Sequence, residues 1–275
     1  MLTLEQKQLI QEKAKAIRVN IVKSVTAAKS GHPGGSLSIA DVMSLLYFQE
    51  MNVNPNEPKD PNRDRFVLSK GHAAPALYAT LAEKGFFPTE ELLNLRKIDH
   101  ILQGHPDMKY IPGVDMSTGS LEQGISAACG MALAGKIDGA SYRVYSVLGD
   151  GELEEGQVWE AAMFAAHYKL SNLTAFVDFN GLQIDGDITK VMSPLPIDEK
   201  FKAFGWHVIV VDGHDLDALH AAVTEAKATI DKPTMVIMNT VKGKGVEAME
   251  GQAGWHGKAP SQEECDKFVA ELLEV

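Results

Sequence analysis

Two oxygen-bearing side chains stand out by their position. A continuous apolar run, Arg143 to Leu148, ends in Gly149-Asp150-Gly151, and a second, Leu173 to Phe179, ends in Asp178-Phe179-Asn180-Gly181. Runs of this kind read as buried strands, and adjacent strand ends would set Asp150 and Asn180 side by side. A carboxylate and an amide carbonyl are hard oxygen donors suited to Mg²⁺ or Ca²⁺. They leave most of a coordination shell open. The backbone carbonyl of Leu182 is a further candidate, and Mg²⁺ usually completes its shell with waters and phosphate oxygens. Gly151 opens toward a helix whose backbone N–H groups can hold phosphate oxygens. Gly-Asp-Gly alone would equally suit a tight turn with Asp150 capping a helix; an Asn after the next buried strand favours the metal.

Histidine supplies the second signal. His32 lies in Ser30-Gly31-His32-Pro33-Gly34-Gly35, His72 in Ser69-Lys70-Gly71-His72-Ala73, His105 in Gly104-His105-Pro106 and His256 in Trp255-His256-Gly257. Each has a glycine beside it, and none falls in a regular apolar pattern. Glycine lets backbone approach a ligand closely, and neutral imidazoles on loops suit proton transfer and hydrogen bonding to hydroxyls. The spacings match no zinc site, so a shared pocket is the expectation. His100, His167, His207, His214 and His220 read as structural. Lys242, in Lys242-Gly243-Lys244-Gly245, reads either as a flexible basic loop reaching an anion or as a solvated hinge.

The formal net charge of −11 argues against nucleic acid or an anionic membrane as partner, since phosphate backbones are bound by basic surfaces. An acidic body must therefore meet a phosphate through a metal or local donors, which the Asp150 and Asn180 pair would provide. No apolar run has the length of a membrane span, and Met1 to Lys15 is no signal or transit peptide; the expected location is cytoplasmic. Cys129 and Cys265 are expected to be reduced, with Cys129 packed as a small hydrophobe in a helical pattern.

The elements that must position these residues alternate. Thr3-Leu4-Glu5-Gln6 is a capping box opening a helix through Ala28, and Ser38 to Asp41 starts a second helix ended by the Pro55 to Pro61 stretch. Phe66 to Leu68 is a short buried strand, and Leu121 to Ile137 a helix rich in Ala and Gly. Then come the strand Arg143–148, a helix Glu154–168, the strand Leu173–179, a strand Trp206–211, a helix Leu216–230, a strand Thr234–239 and a final helix Gln262–273. Such alternation predicts an α/β fold, a mostly parallel central sheet with helices on both faces, and ligands at the carboxyl ends of its strands.

Together these motifs resemble the N-terminal part of transketolases over nearly the whole chain. The carriers are Gly31-His32-Pro33-Gly34, Asp64 through Ala73, Thr118-Gly119-Ser120-Leu121, Gly149-Asp150-Gly151, Asn180-Gly181-Leu182 and Trp255-His256-Gly257-Lys258. The resemblance implies thiamine diphosphate as cofactor, with Asp150, Asn180 and the Leu182 carbonyl holding the metal and Gly151 touching the diphosphate. It further implies that His72, Gly119, Ser120, Leu121 and Lys242 line the cofactor site. His32, His105 and His256 would face the sugar phosphate as catalytic residues, His256 also near the diphosphate. Glu155 would join an acidic network linking paired sites. By the same resemblance residues 1–275 form one thiamine-diphosphate-binding domain, without the pyrimidine-binding and C-terminal domains. The expectation is a transketolase half of pentose phosphate metabolism, active only with a C-terminal-half chain in an α2β2 assembly. A ketolase or deoxyxylulose-phosphate-synthase-like relative, or a non-catalytic binding relative, are the alternatives. Gly34-Gly35 lacks the hydroxyl some relatives place in that loop.

Overall fold

The computed structural model describes residues 1–274. Helix α1 (Leu4–Ala28) opens with the expected capping box: the Thr3 hydroxyl accepts from Gln6 N–H, and the Gln6 side chain accepts from Thr3 N–H. The next helical stretch departs from expectation. It begins earlier, as α2 (Pro33–Leu37), resumes as α3 (Ala40–Leu45) and ends in a wider π turn, Leu46–Glu50. Pro33 sits at a first-turn position, where its missing N–H is no loss. Ser38 is not the cap: Ile39 precedes α3 with no side-chain cap hydrogen bond, and the Ser38 hydroxyl is turned to the Asp178 carboxylate at 2.7 Å, with Gly35 O at 3.2 Å.

Strand β1 (Arg65–Leu68) and helices α4 (Ala74–Lys84) and α5 (Gln123–Asp138) follow. Helix α4 escapes the sequence pattern because it is buried along most of its length, leaving no polar face to mark a period. Helix α5 starts after Glu122, whose φ of 74° breaks the expected helix from Leu121. Strand β2 (Val144–Gly149), helix α6 (Gly156–His167) and strand β3 (Leu173–Phe179) come next. A small antiparallel hairpin, β4 (Leu182–Gln183) with β5 (Gly186–Asp187), leads to the short helices α7 (Ile188–Val191) and α8 (Ile197–Ala203). The chain then runs through β6 (His207–Asp212), α9 (Leu216–Ala228), β7 (Thr234–Asn239) and α10 (Gln262–Glu274).

Five strands form one sheet in the order β1-β2-β3-β7-β6, with every neighbouring pair parallel. Side chains along each strand alternate between two cores. Phe66, Tyr145, Phe176 and Val236 join the core under α1, α4, α9 and α10. Val67, Leu148, Val177 and Ile237 join the core under α5, α6 and α8. Burial on both faces is what a parallel sheet requires. Because all five strands run the same way, every carboxyl end emerges on one edge, and register pairs Gly149 with Asp178 there. Among the described residues no helix is long and apolar enough to cross a membrane.

The topology is testable by contrast. Phe176 on the central strand is fully buried, whereas Val210 on the edge strand β6 is 53% exposed. Phe176→Ala should destabilise the chain by about 3–5 kcal/mol, and Val210→Ala by roughly 0.5 kcal/mol or less, in denaturant titrations. Equal losses would contradict the strand order.

Candidate active site

The carboxyl ends of β1, β2 and β3 and the segment after β7 surround one cavity of about 360 Å³. β1 delivers Lys70 and His72, β2 delivers Asp150 and Gly151, and β3 delivers Asp178, Asn180 and, one turn on, Leu182. The segment after β7 brings Lys242, and three more distant segments bring His32, His105 with Gly119 and Leu121, and His256. The structure thus gathers nearly all the residues singled out by type and spacing or implied by the resemblance. Ser120 and Glu155 are exceptions: both are exposed and lie outside the cavity lining.

At one end sit the oxygen donors. The Asp150 carboxylate is almost buried and accepts from Gly151 N–H at 2.9 Å and Gly181 N–H at 2.7 Å. Burial, then the nearby Asp178 charge, raises its carboxyl to about 6. Asn180 is oriented by its neighbours: its Nδ2 donates to Asp178 Oδ2 at 2.8 Å, and its Oδ1 accepts from Leu182 N–H at 3.1 Å. Leu182 O accepts from the Lys242 ammonium at 3.0 Å. Three hard oxygen donors, one of them a buried carboxylate in want of a cation, suit Mg²⁺ or Ca²⁺ chemistry. A cation already touches one of these oxygens, in the form of Lys242.

The histidines form the other wall. The His32 ring centroid lies 5.3 Å from His72 and 5.4 Å from His256, and His72 stacks on His256 at 5.1 Å. Burial first, and then neighbouring cations, lower their basicity: His32 falls to about 4, His256 to about 3 and His72 well below its ordinary value. His105 is also lowered, by burial and then by Arg96. All four are neutral near pH 7. Lysine can only donate, so His256 Nδ1, 3.1 Å from the Lys242 ammonium, accepts, and its Nε2 carries the proton. His32 Nδ1 is buried with no hydrogen-bond partner, an orphan that asks for a ligand. At Gly35 a methyl group would lie 3.5 Å from His72 Nε2, an ordinary van der Waals contact.

Lys242 differs from both sequence expectations. It is 2% exposed, so it is neither a flexible loop residue nor a solvated hinge. Burial, and then Lys70, lower its ammonium to about 8. Cys129 is packed as expected, and burial raises its thiol to about 12.

Sequence reasoning passes over the buried charges beneath the cavity. Lys70 and Asp178 form an ion pair at 2.6 Å with side chains 2% and 0% exposed. Lys70 also donates to Gly35 O at 2.7 Å, and Asp178 further accepts from the Ser38 and Thr240 hydroxyls. Burial pushes the Asp178 carboxyl up, but Lys70 and the hydroxyl donors outweigh it and hold it below the ordinary range. Glu152, fully buried, accepts from Ser69 Oγ, Gly149 N–H and Glu122 N–H. A usable signal exists: a lone charge at the end of an apolar strand covered on both faces must find a partner.

Known proteins fit this geometry. Residues 9–272 match the family described as transketolase, thiamine diphosphate binding domain. The 6-deoxy-6-sulfo-D-fructose transketolase subunit SqwG of Clostridium sp. (strain MSTE9) is 48% identical, with 98% of each chain aligned. A subunit of the apulose-4-phosphate transketolase of Phocaeicola vulgatus is 44% identical over 94% of this chain and 91% of its own. Human transketolase is 47% identical over 96% of this chain, which spans only 42% of that enzyme. The crystal structure of transketolase from Campylobacter jejuni superposes with a TM-score of 0.91 at 33% identity, covering 96% of this chain and 43% of that one. The strand order, the gathered motifs and these alignments agree that the chain belongs to the transketolase thiamine-diphosphate-binding domain family.

Proposed function

We propose that this chain is the diphosphate- and metal-binding subunit of a split transketolase, which transfers a two-carbon ketol unit from a ketose to an aldose once a pyrimidine-binding partner chain completes the site. The observation that carries this reading is the single cavity in which three hard oxygens face a wall of neutral histidines. Asp150, Asn180 Oδ1 and Leu182 O would hold Mg²⁺ or Ca²⁺ against a diphosphate, resolving the conflict between an anionic ligand and an acidic protein. Gly151 and the Lys242 ammonium would add donors to the diphosphate, while His72, Gly119, Leu121 and the exposed Ser120 would flank the cofactor. Thiamine diphosphate supplies the electron sink for carbon–carbon cleavage; binding and orientation are the protein's part.

The remaining chemistry falls to the histidines. His256 would donate from Nε2 to a substrate oxygen, since its Nδ1 is held by Lys242. The orphaned Nδ1 of His32 would satisfy a ligand group, and His105 would serve from the other side. Their low basicity keeps them neutral, able to accept or pass a proton without holding a charge beside a cationic cofactor ring. Glu155, exposed at the start of α6, would meet the partner or the paired site, in an α2β2 assembly. Two subunit relatives aligned over nine-tenths or more of their length support a two-chain enzyme. Because one relative is named for a sulfonated ketose and another for apulose 4-phosphate, the donor sugar is better tested with phosphorylated and sulfonated ketoses alike.

Mixing tests the proposal. Ketol transfer should appear only when this chain, a C-terminal-half partner, thiamine diphosphate and Mg²⁺ are combined; full activity from this chain alone would refute the two-chain reading. Asp150→Ala should leave a folded chain by circular dichroism, yet weaken metal-dependent cofactor binding in the complex by about a hundredfold, the scale seen when metal sites lose their supporting groups. A proton competes with the metal for Asp150 below about pH 6. Cofactor affinity measured by calorimetry should therefore fall between about pH 7 and pH 5 in the parent and lose that dependence in Asp150→Asn. A flat parent profile would remove Asp150 from the metal site.

A further inference from the structure

His214 reads as structural in the sequence, yet it reaches the active-site segment. Its Nε2 accepts from Val241 N–H at 2.9 Å, immediately before Lys242. A backbone N–H can only donate, so Nε2 is bare and Nδ1 carries the proton. That proton is donated to Asp41 Oδ2 at 2.7 Å. Asp41 in turn takes both terminal nitrogens of Arg18 in a fork, and Arg18 Nε donates to Lys244 O at 3.1 Å. The chain of contacts leaves the segment at Val241 and returns to it at Lys244, with Lys242 between.

The same segment is fixed on its inner side. Gly243 N–H donates to Gly34 O at 2.9 Å, and Gly251 N–H donates to Lys242 O at 2.9 Å. Gly243 has φ +80°, and a methyl group there would sit 2.4 Å from Met249 O, so the tight path admits only glycine. The three outer side chains are 11–15% exposed. Burial raises the Asp41 carboxyl, but Arg18 and His214 outweigh it and keep it ionised. Apolar packing could fill this volume but could not accept from Val241 and donate to Lys244.

We propose that Arg18, Asp41 and His214 form a positioning relay that fixes the backbone on either side of Lys242 and so holds its ammonium in the cavity. The placement stands on geometry alone; its consequence for cofactor binding rests on the function proposed above for Lys242.

Amine labelling of the full chain separates the two. An acylating reagent, read residue by residue by mass spectrometry, reports access to Lys242 relative to the exposed Lys109. His214→Ala should raise relative labelling of Lys242 by about tenfold, the equivalent of one buried hydrogen bond lost. Arg18→Lys, which keeps the charge beside Asp41 but loses the Nε donor, should raise it by a smaller factor. Unchanged labelling in a folded His214→Ala chain overturns the relay; should that variant unfold, unchanged labelling in Arg18→Lys does so. In the complex with the partner chain, His214→Ala should weaken thiamine diphosphate binding by about tenfold in the parent and not at all in a Lys242→Met background. Equal weakening in both backgrounds shows that His214 does not act through Lys242. If Lys242→Met alone leaves cofactor affinity unchanged, the role assigned to Lys242 falls, while the relay as read by labelling stands.

Discussion

A lysine and an aspartate, both withdrawn from water, face each other at 2.6 Å beneath the cavity. Neither Lys70 nor Asp178 could be buried alone, because an unpaired interior charge costs several kcal/mol even after relaxation. Paired, each is left with hydrogen-bonding capacity to spare, and that spare capacity organises the site. Asp178 takes the Asn180 amide on one side, turning its carbonyl oxygen away, and takes Ser38 and Thr240 on the other. Lys70 holds the carbonyl of Gly35. One ion pair thus ties β1 and β3 to the helical segment behind His32 and to the start of the loop that carries Lys242.

The parallel sheet makes this economy of contact possible. Five strands running one way put five loops on one edge, so residues remote in sequence meet without long excursions of the chain. The same edge concentrates polar groups of opposite needs. Asp150 is an anion held near Asp178, and the histidines are bases kept neutral by burial and by Lys70, Lys242 and Arg96. A dication with a diphosphate would satisfy the first and leave the second unchanged. The formal charge of −11 is then no obstacle to an anionic cofactor, since a metal ion at Asp150 together with the Lys242 ammonium would meet it locally.

Much of this is legible in the sequence because apolar runs and their terminating residues are local signals. The strands through Leu148, Phe179 and Asn239 read directly, and Asp150, Asn180 and the glycine-flanked histidines stand where such runs end. What escapes is whatever depends on a partner far along the chain. Ser38 has the look of a helix cap and is instead claimed by Asp178. Helix α4 carries no period because both its faces are buried. Lys242 reads as mobile among its glycines, yet those glycines allow the tight path that buries it. His214 has no sequence context that points to Val241; only the fold supplies it. Ser120 and Glu155, expected from the resemblance, stay outside the cavity lining of this chain.

The claim that the buried pair organises the site, beyond contributing to stability, is tested most directly by replacing both charges together. Lys70→Met with Asp178→Leu removes the pair without stranding either charge, a change that buried ion pairs often tolerate. The measurement is thiamine diphosphate and Mg²⁺ affinity of this double variant, in complex with the partner chain, after its folding has been verified. The account predicts a folded protein whose cofactor affinity is lost, because Asn180 and the Gly35 segment are no longer held. A folded double variant that binds the cofactor as tightly as the parent would contradict it.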